Sequence, residues 1–161
     1  MNDTVLRLYD QFLREFEPLA DAIPADRFDV VAYPGGHDAC WIVGHLAVGL
    51  DFAGSLLGLG HNVAVEWGKL FGPGSPGHCG ESGPSKEELV QSLRRLHGLV
   101  GEAMRKADPA VLAQPHGMSF LPADGPLQSM GDLIAYLVTT HAFYHLAQLS
   151  SCKTVAAAGR P

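Results

Sequence analysis

Between Ala39 and Gly60 the chain reads ACWIVGHLAVGLDFAGSLLGLG, an apolar run as long as a membrane span. Such a segment has two outlets, lipid or the centre of a helical protein. His45 and Asp51 interrupt the run, and no basic cluster flanks either end. Burial inside the protein is therefore the expectation, with no membrane partner. A helix over about Asp38–Leu57 would be apolar nearly all round, which suits a central position. Gly44, Gly49, Ala53, Gly54 and Gly58 lie along it, and the glycines cost helix propensity. In return they would let a neighbouring helix approach closely, in this chain or across a homodimer interface.

Three more segments have the period of a helix. From Asp3 to Asp21, Val5, Leu8, Tyr9, Phe12, Phe16 and Leu19 make one stripe. From Ser85 to about Ala107, a Ser85–Glu88 capping box after Pro84 opens a helix with Leu89, Leu93, Leu96, Val100 and Ala103 on one face. From Ser129, with Asp132 three residues on, a fourth helix is expected to reach about Ser151. Its stripe runs Met130, Ile134, Leu137, Val138, His141, Tyr144, His145 and Gln148. No strand pattern and no internal repeat is visible. The chain of 161 residues is 47% hydrophobic and 17% charged, enough for one sizeable core. The expected fold is all-α, a single domain over residues 1–161 built as an up-and-down four-helix bundle with long crossover loops.

Two connections are long. Residues 59–84 are rich in Gly and Pro, which suits a functional lid or a disordered loop. Residues 108–128 contain four prolines and are expected to pack over one end of the helices. A formal net charge of −6 argues against nucleic acid. The basic pairs Arg94-Arg95 and Arg105-Lys106 read as a solvated helix face. Cys40, Cys79 and Cys152 are an odd number without a Cys-x-x-Cys spacing, which suits reduced thiols and a cytoplasmic location. The N-terminal MNDTVLRLYD does not read as a signal peptide.

Among the eight histidines, His141 and His145 stand four apart in HAFYHLAQ. Residues so spaced share a helix face with Cβ atoms about 6 Å apart. Two imidazoles there can converge on one cation at about 2.0–2.1 Å. They fall on the stripe that Ile134, Leu137 and Val138 begin, so they should point inward. A lone buried histidine is usually satisfied by one carbonyl or hydroxyl. A pair is harder to satisfy, and charging both in low dielectric costs repulsion. A divalent metal resolves this by taking a lone pair from each neutral ring. His45, on the Trp41–His45–Val48–Phe52 stripe, is the candidate third ligand; the alternative is a hydrogen bond to a carbonyl or a tyrosine. His37, His61, His78, His97 and His116 are expected to be exposed or capping, with His78-Cys79 a remote further ligand. Gln148 shares the face of the pair and either supports a ligand imidazole or metal-bound water, or caps a carbonyl. Tyr144 borders that face, to orient a substrate or simply to pack.

WIVGHLAVG and the later HAFYHLAQL together resemble the DinB-like family of metal-dependent enzymes. The resemblance implies a four-helix bundle holding a divalent ion with three histidines. One comes from the second helix, often after a Trp, and two come from a late His-x-x-x-His, commonly followed by Gln. The matching positions are His45, His141 and His145, with Trp41 and Gln148 as companions. The tail LSSCKTVAAAGRP departs from the aromatic and basic tail of many relatives, with Lys153 where an arginine would stand.

Three neutral histidines leave an open coordination position, the mark of a catalytic rather than a closed site. Zinc is the first expectation, with nickel, manganese or iron also compatible. The open position can activate water or hold a thiolate. The resemblance favours the thiolate and implies a thiol S-transferase acting on small electrophiles with a low-molecular-weight thiol. Asp51, six residues past His45, should face away from it, so no carboxylate is placed as a general base. The alternatives are a metal-dependent hydrolase and a non-enzymatic, stress-associated binding protein with a structural metal.

Overall fold

The computed structural model describes residues 1–80, 83–119, 121, 122 and 124–159. Parts of both long connections, residues 81, 82, 120 and 123, lie outside the described set. All regular structure among the described residues is helical, apart from two isolated bridges, Val31 to Asp38 and Pro115 to Ser129.

Helix α1, Asp3–Ala22, starts where the Asn2 side chain accepts the Val5 N–H at 2.9 Å. It buries Tyr9, Phe12, Phe16 and Ala20, four positions at helical spacing. Helix α2, Ala39–Leu56, starts at Asp38, whose carboxylate caps the Trp41 N–H at 2.6 Å. By length and composition α2 could cross a membrane, but 72% of it is buried inside the protein. Helix α4, Lys86–Lys106, opens with the expected capping box between Ser85 and Glu88. These helices and a long C-terminal one share a single core. Helix α2 packs on α4 and on the C-terminal helix, and α1 packs on the same two.

The C-terminal helix is not regular. It comprises α6 (Met130–Tyr136), a π-helical turn (Leu137–His141) and α7 (Ala142–Ala157). A second capping box, Ser129 with Asp132, starts it. In the wide turn the Thr139 hydroxyl donates to the Ala135 carbonyl at 2.5 Å, a back-bond that competes with the helix ladder. The turn shifts the inward face by about one residue. Val138, Ala142, Leu146 and Leu149 are buried, whereas Tyr144, expected beside that face, is 62% exposed. His145 is buried and His141 only half-buried, at the edge of the core. Wide turns of this kind recur at functional sites.

The connection over residues 59–84 contains structure that its composition hides. Helix α3, Val65–Phe71, lies against α2 and sends Phe71 into the core. The Phe71 ring fills the space over Gly44, where an added Cβ would meet three ring atoms at 2.5–2.6 Å. The close approach that Gly44 permits is thus used within the chain. Gly54 likewise faces Val100 and Leu59. A short helix α5, Pro109–Leu112, occupies the second connection.

The cysteines depart from expectation. Cys40, in the first turn of α2, is disulfide-bonded to Cys79 across 39 residues, with Cα atoms 5.9 Å apart. Only Cys152 is free, and it is buried. The bond ties the end of the α3 connection to the start of α2, and the reduced-thiol argument for a cytoplasmic location loses its basis.

Candidate metal centre

Two helices bring the histidines together. His45 projects from the middle of α2, His141 ends the wide turn, and His145 follows one turn into α7. Their ring centroids are 5.0 Å (His45–His141), 4.6 Å (His45–His145) and 4.6 Å (His141–His145) apart. One nitrogen from each ring lies within 4.8 Å of the others, a group that could hold a metal ion.

The proton arrangement of the rings follows from their other nitrogens. His45 Nδ1 donates to the Phe71 carbonyl at 2.6 Å. His145 Nδ1 donates to Gln148 Oε1 at 2.7 Å. His141 turns its Nε2 toward His45. In His45 and His145, Nδ1 then carries the proton and Nε2 is a bare lone pair. His45 Nε2 and His141 Nε2 face each other at 3.0 Å. If His141 also carries its proton on Nδ1, two lone pairs meet there and a cation between them relieves the repulsion. A proton is a poor candidate because it would charge a ring held out of water. Burial, then the neighbouring imidazoles, lowers His141 to about 4 and His145 to about 3. Burial is also the main cause that lowers His45. Three neutral, convergent imidazoles fit a divalent ion of borderline softness.

Packing fixes the ring planes. Trp41 stacks on His45 with centroids 4.4 Å apart and planes at 10°. His37 stacks on Trp41, 3.9 Å between centroids. The Trp41 indole N–H donates to Ser75 Oγ at 2.7 Å, so the α3 connection holds this stack from outside. Gln148 is tied in turn to Tyr33, Nε2 to Oη at 3.4 Å. Of the side chains singled out from sequence, Trp41 and Gln148 therefore touch the histidines directly. Tyr144 stands over His145, ring centroids 5.1 Å apart, on the solvent side. Sequence reasoning could not name the Phe71 acceptor, because it is a backbone carbonyl.

The remaining histidines divide. His61 is exposed and pairs with the buried Asp51, Nδ1 to Oδ2 2.8 Å, while Asn62 N–H donates to Asp51 Oδ1 at 2.5 Å. Asp51 thus caps a loop and takes no part in the triad. His78 is exposed, with Nδ1 3.6 Å from Asp38 Oδ2, and does not join the triad either. Asp38, Cys40 and Cys79 also cluster, but the two sulfurs are bonded to each other. His116 is half-buried and contacts the Leu127 carbonyl at 3.0 Å. Lys153 lines a groove between α1 and α7 with Arg14, and none of the three histidines borders that groove.

His97 corrects the expectation of exposure. It is buried, stacks on Tyr9 at 4.0 Å, and donates from Nε2 to the Tyr9 carbonyl at 2.9 Å. The Tyr9 hydroxyl returns a bond to the His97 carbonyl at 3.0 Å. Burial lowers the pKa of His97 below the ordinary 6.5, so the folded ring stays neutral where the unfolded one binds a proton. The sign follows: stability is full above about pH 6.5 and falls as the pH drops below it, by up to about one proton per molecule from this group. Urea midpoints at pH 7.5 and 5.5 should drop more for the wild-type protein than for His97→Gln. Equal drops would remove His97 from the acid response.

The family model of the DinB superfamily matches residues 8–149, a span that contains all three histidines and Gln148. No curated protein matches the chain.

Proposed function

The chain belongs to the DinB superfamily, and from that premise we propose a divalent-metal-dependent enzyme, a thiol S-transferase acting on small electrophiles. The scaffold in this reading is an up-and-down four-helix bundle, supported by the cyclic packing of α1, α4, α2 and the α6–α7 helix. The observation that carries the proposal is the convergence of three histidine nitrogens within 4.8 Å of one another, with the Nδ1 atoms of His45 and His145 both committed to oxygen acceptors.

His45, His141 and His145 would hold the ion, zinc in the first instance, with nickel, manganese or iron compatible with the same donors. A bound divalent ion lowers the pKa of a thiol or water at its open position. The protein supplies the rest. Phe71 and Gln148 hold His45 and His145 in the tautomer that presents Nε2, and Trp41 prevents His45 from rotating. His141, half-buried, leaves the centre open to solvent on one side.

One feature favours a thiol over water as the nucleophile. Water attack needs a general base, and among the described residues no carboxylate hydrogen-bonds any of the three rings. A thiolate needs none once it has ionised. The hydrolase reading would require a base brought by the substrate. A structural-metal binding protein would leave the open side of the triad without a purpose.

Cobalt-substituted protein tests this. Addition of 2-mercaptoethanol is expected to produce a sulfur-to-cobalt charge-transfer band. A cobalt spectrum indifferent to every added thiol would sink the transferase reading and leave the metal centre standing.

A further inference from the structure

The chain has four tyrosines, and only Tyr9 belongs to the core. The other three, Tyr33, Tyr136 and Tyr144, are 49%, 39% and 62% exposed. Among the described residues they are the only exposed large aromatic side chains. All three lie at the histidine centre. The Tyr136 ring is 6.0 Å from the His141 ring, a neighbour it reaches across the wide turn. The Tyr144 ring is 5.1 Å from that of His145. Tyr33 Oη is 3.4 Å from Gln148 Nε2, the amide that positions His145. Exposed phenol rings leave apolar area in water, and here each of the three neighbours a triad ring or the Gln148 amide that positions one. Such rings are rigid, stack well and lose little entropy on contact.

The charges near the centre narrow what the rings can receive. Among the described residues, the side-chain hydrogen bonds and ring contacts of the triad and of the three tyrosines reach one another, Trp41, the Phe71 carbonyl and Gln148. None of these is a charged group that would pair with a carboxylate, a phosphate or an ammonium group of a ligand. A divalent ion on neutral ligands would further repel a cationic ligand.

We infer that Tyr136 and Tyr144, with Tyr33 behind them, form a recognition rim for an uncharged aromatic group carried by the ligand that enters the open side of the triad. The inference rests on the proposed metal centre and deepens it by naming the class of ligand. Tyr136 and Tyr144 are specificity residues in this account, acting on the part of the ligand beyond its metal-binding atom.

The test is a set of titrations of cobalt-loaded protein followed by its visible spectrum. Benzyl mercaptan should bind about 10-fold more tightly than 2-mercaptoethanol, mercaptoacetate or cysteamine, the gain expected of two ring contacts. The double variant Tyr136→Ala/Tyr144→Ala should lose that preference while its affinity for 2-mercaptoethanol stays within about 2-fold. Tyr136→Phe/Tyr144→Phe should keep the preference, because the ring and not the hydroxyl provides the contact. Equal binding of the four thiols, or a preference that survives the double alanine variant, overturns the inference. If no thiol enters, the transferase proposal fails separately. The rim is then read with benzohydroxamate against acetohydroxamate, which share a metal-binding head and differ in the ring. The same preference and the same loss in the alanine variant are expected, and equal affinities would overturn the rim.

Discussion

His145→Ala protein should purify without a stoichiometric divalent ion, which the wild-type chain is expected to carry. His145 is tightly constrained: buried, flanked by both other histidines, and locked by Gln148 at 2.7 Å. Its removal leaves two imidazoles from two helices, and no other histidine is placed to substitute. Loss of a partner that merely orients a ligand costs about 10–100-fold in metal affinity. Loss of the ligand itself should exceed about 100-fold by the same comparison. Gln148→Leu provides the graded case. It removes the acceptor that holds His145 Nδ1–H while keeping a side chain of similar size, and should fall within the 10–100-fold range. Gln148→Glu keeps an acceptor and should bind more tightly than the leucine variant. Metal content by elemental analysis and competition with a chromogenic chelator give both readings. His61→Ala and His78→Ala, both outside the triad, should keep the ion in full. The apo form of His145→Ala should melt close to apo wild-type, because a buried neutral imidazole opposite other imidazoles adds little to the fold. Full metal content in His145→Ala would place the ion somewhere other than the triad.

The triad was legible in the sequence because two signals agreed: a four-residue spacing, and a position on an apolar stripe where a polar side chain needs a reason. The helices around it were legible from caps that depend on one side chain and one neighbouring N–H, as at Ser85–Glu88 and Ser129–Asp132. What failed to show was whatever depends on distant backbone. His97 looked exposed because its partner is the Tyr9 carbonyl, 88 residues away, and a carbonyl leaves no mark in a sequence. The wide turn at Leu137–His141 was hidden because periodicity averages over a helix, and one extra residue per turn changes the average little. It nevertheless decides that Tyr144 faces solvent and His141 the edge. Helix α3 was masked by the glycines and prolines that follow it. The Cys40–Cys79 bond joins residues whose proximity only the folded connection creates.

The same connection makes Gly44 a sensitive position away from the three histidines. Gly44→Val should lower stability by about 3 kcal/mol, the upper part of the usual cost of overpacking a core. For a chain of this length that is a fall of roughly 6–12 °C in melting temperature. Glycine to a larger residue inside a helix would ordinarily gain up to about 1 kcal/mol of propensity, so the sign depends on whether the neighbour can move. The neighbour is the Phe71 ring, fully buried, with three of its atoms 2.5–2.6 Å from the position of the new Cβ. The ring cannot retreat alone, since the Phe71 carbonyl is the acceptor of His45 Nδ1–H at 2.6 Å. Displacing Phe71 therefore frees His45 to rotate or change tautomer, and metal affinity should fall with stability, by about 10-fold. Gly49→Ala is the matched control on the same helix. Its Cβ would lie 3.6 Å from His141 Cε1, an ordinary contact, so it should melt at or above the wild-type temperature and keep its ion. If Gly44→Val melted like Gly49→Ala, α3 would not be seated on α2 as described, and His45 would lack the carbonyl that fixes its Nε2 toward the centre. A Gly44→Val protein that loses stability but binds metal with wild-type affinity would separate the two roles of Phe71, leaving its ring as packing and its carbonyl without influence on the ligand.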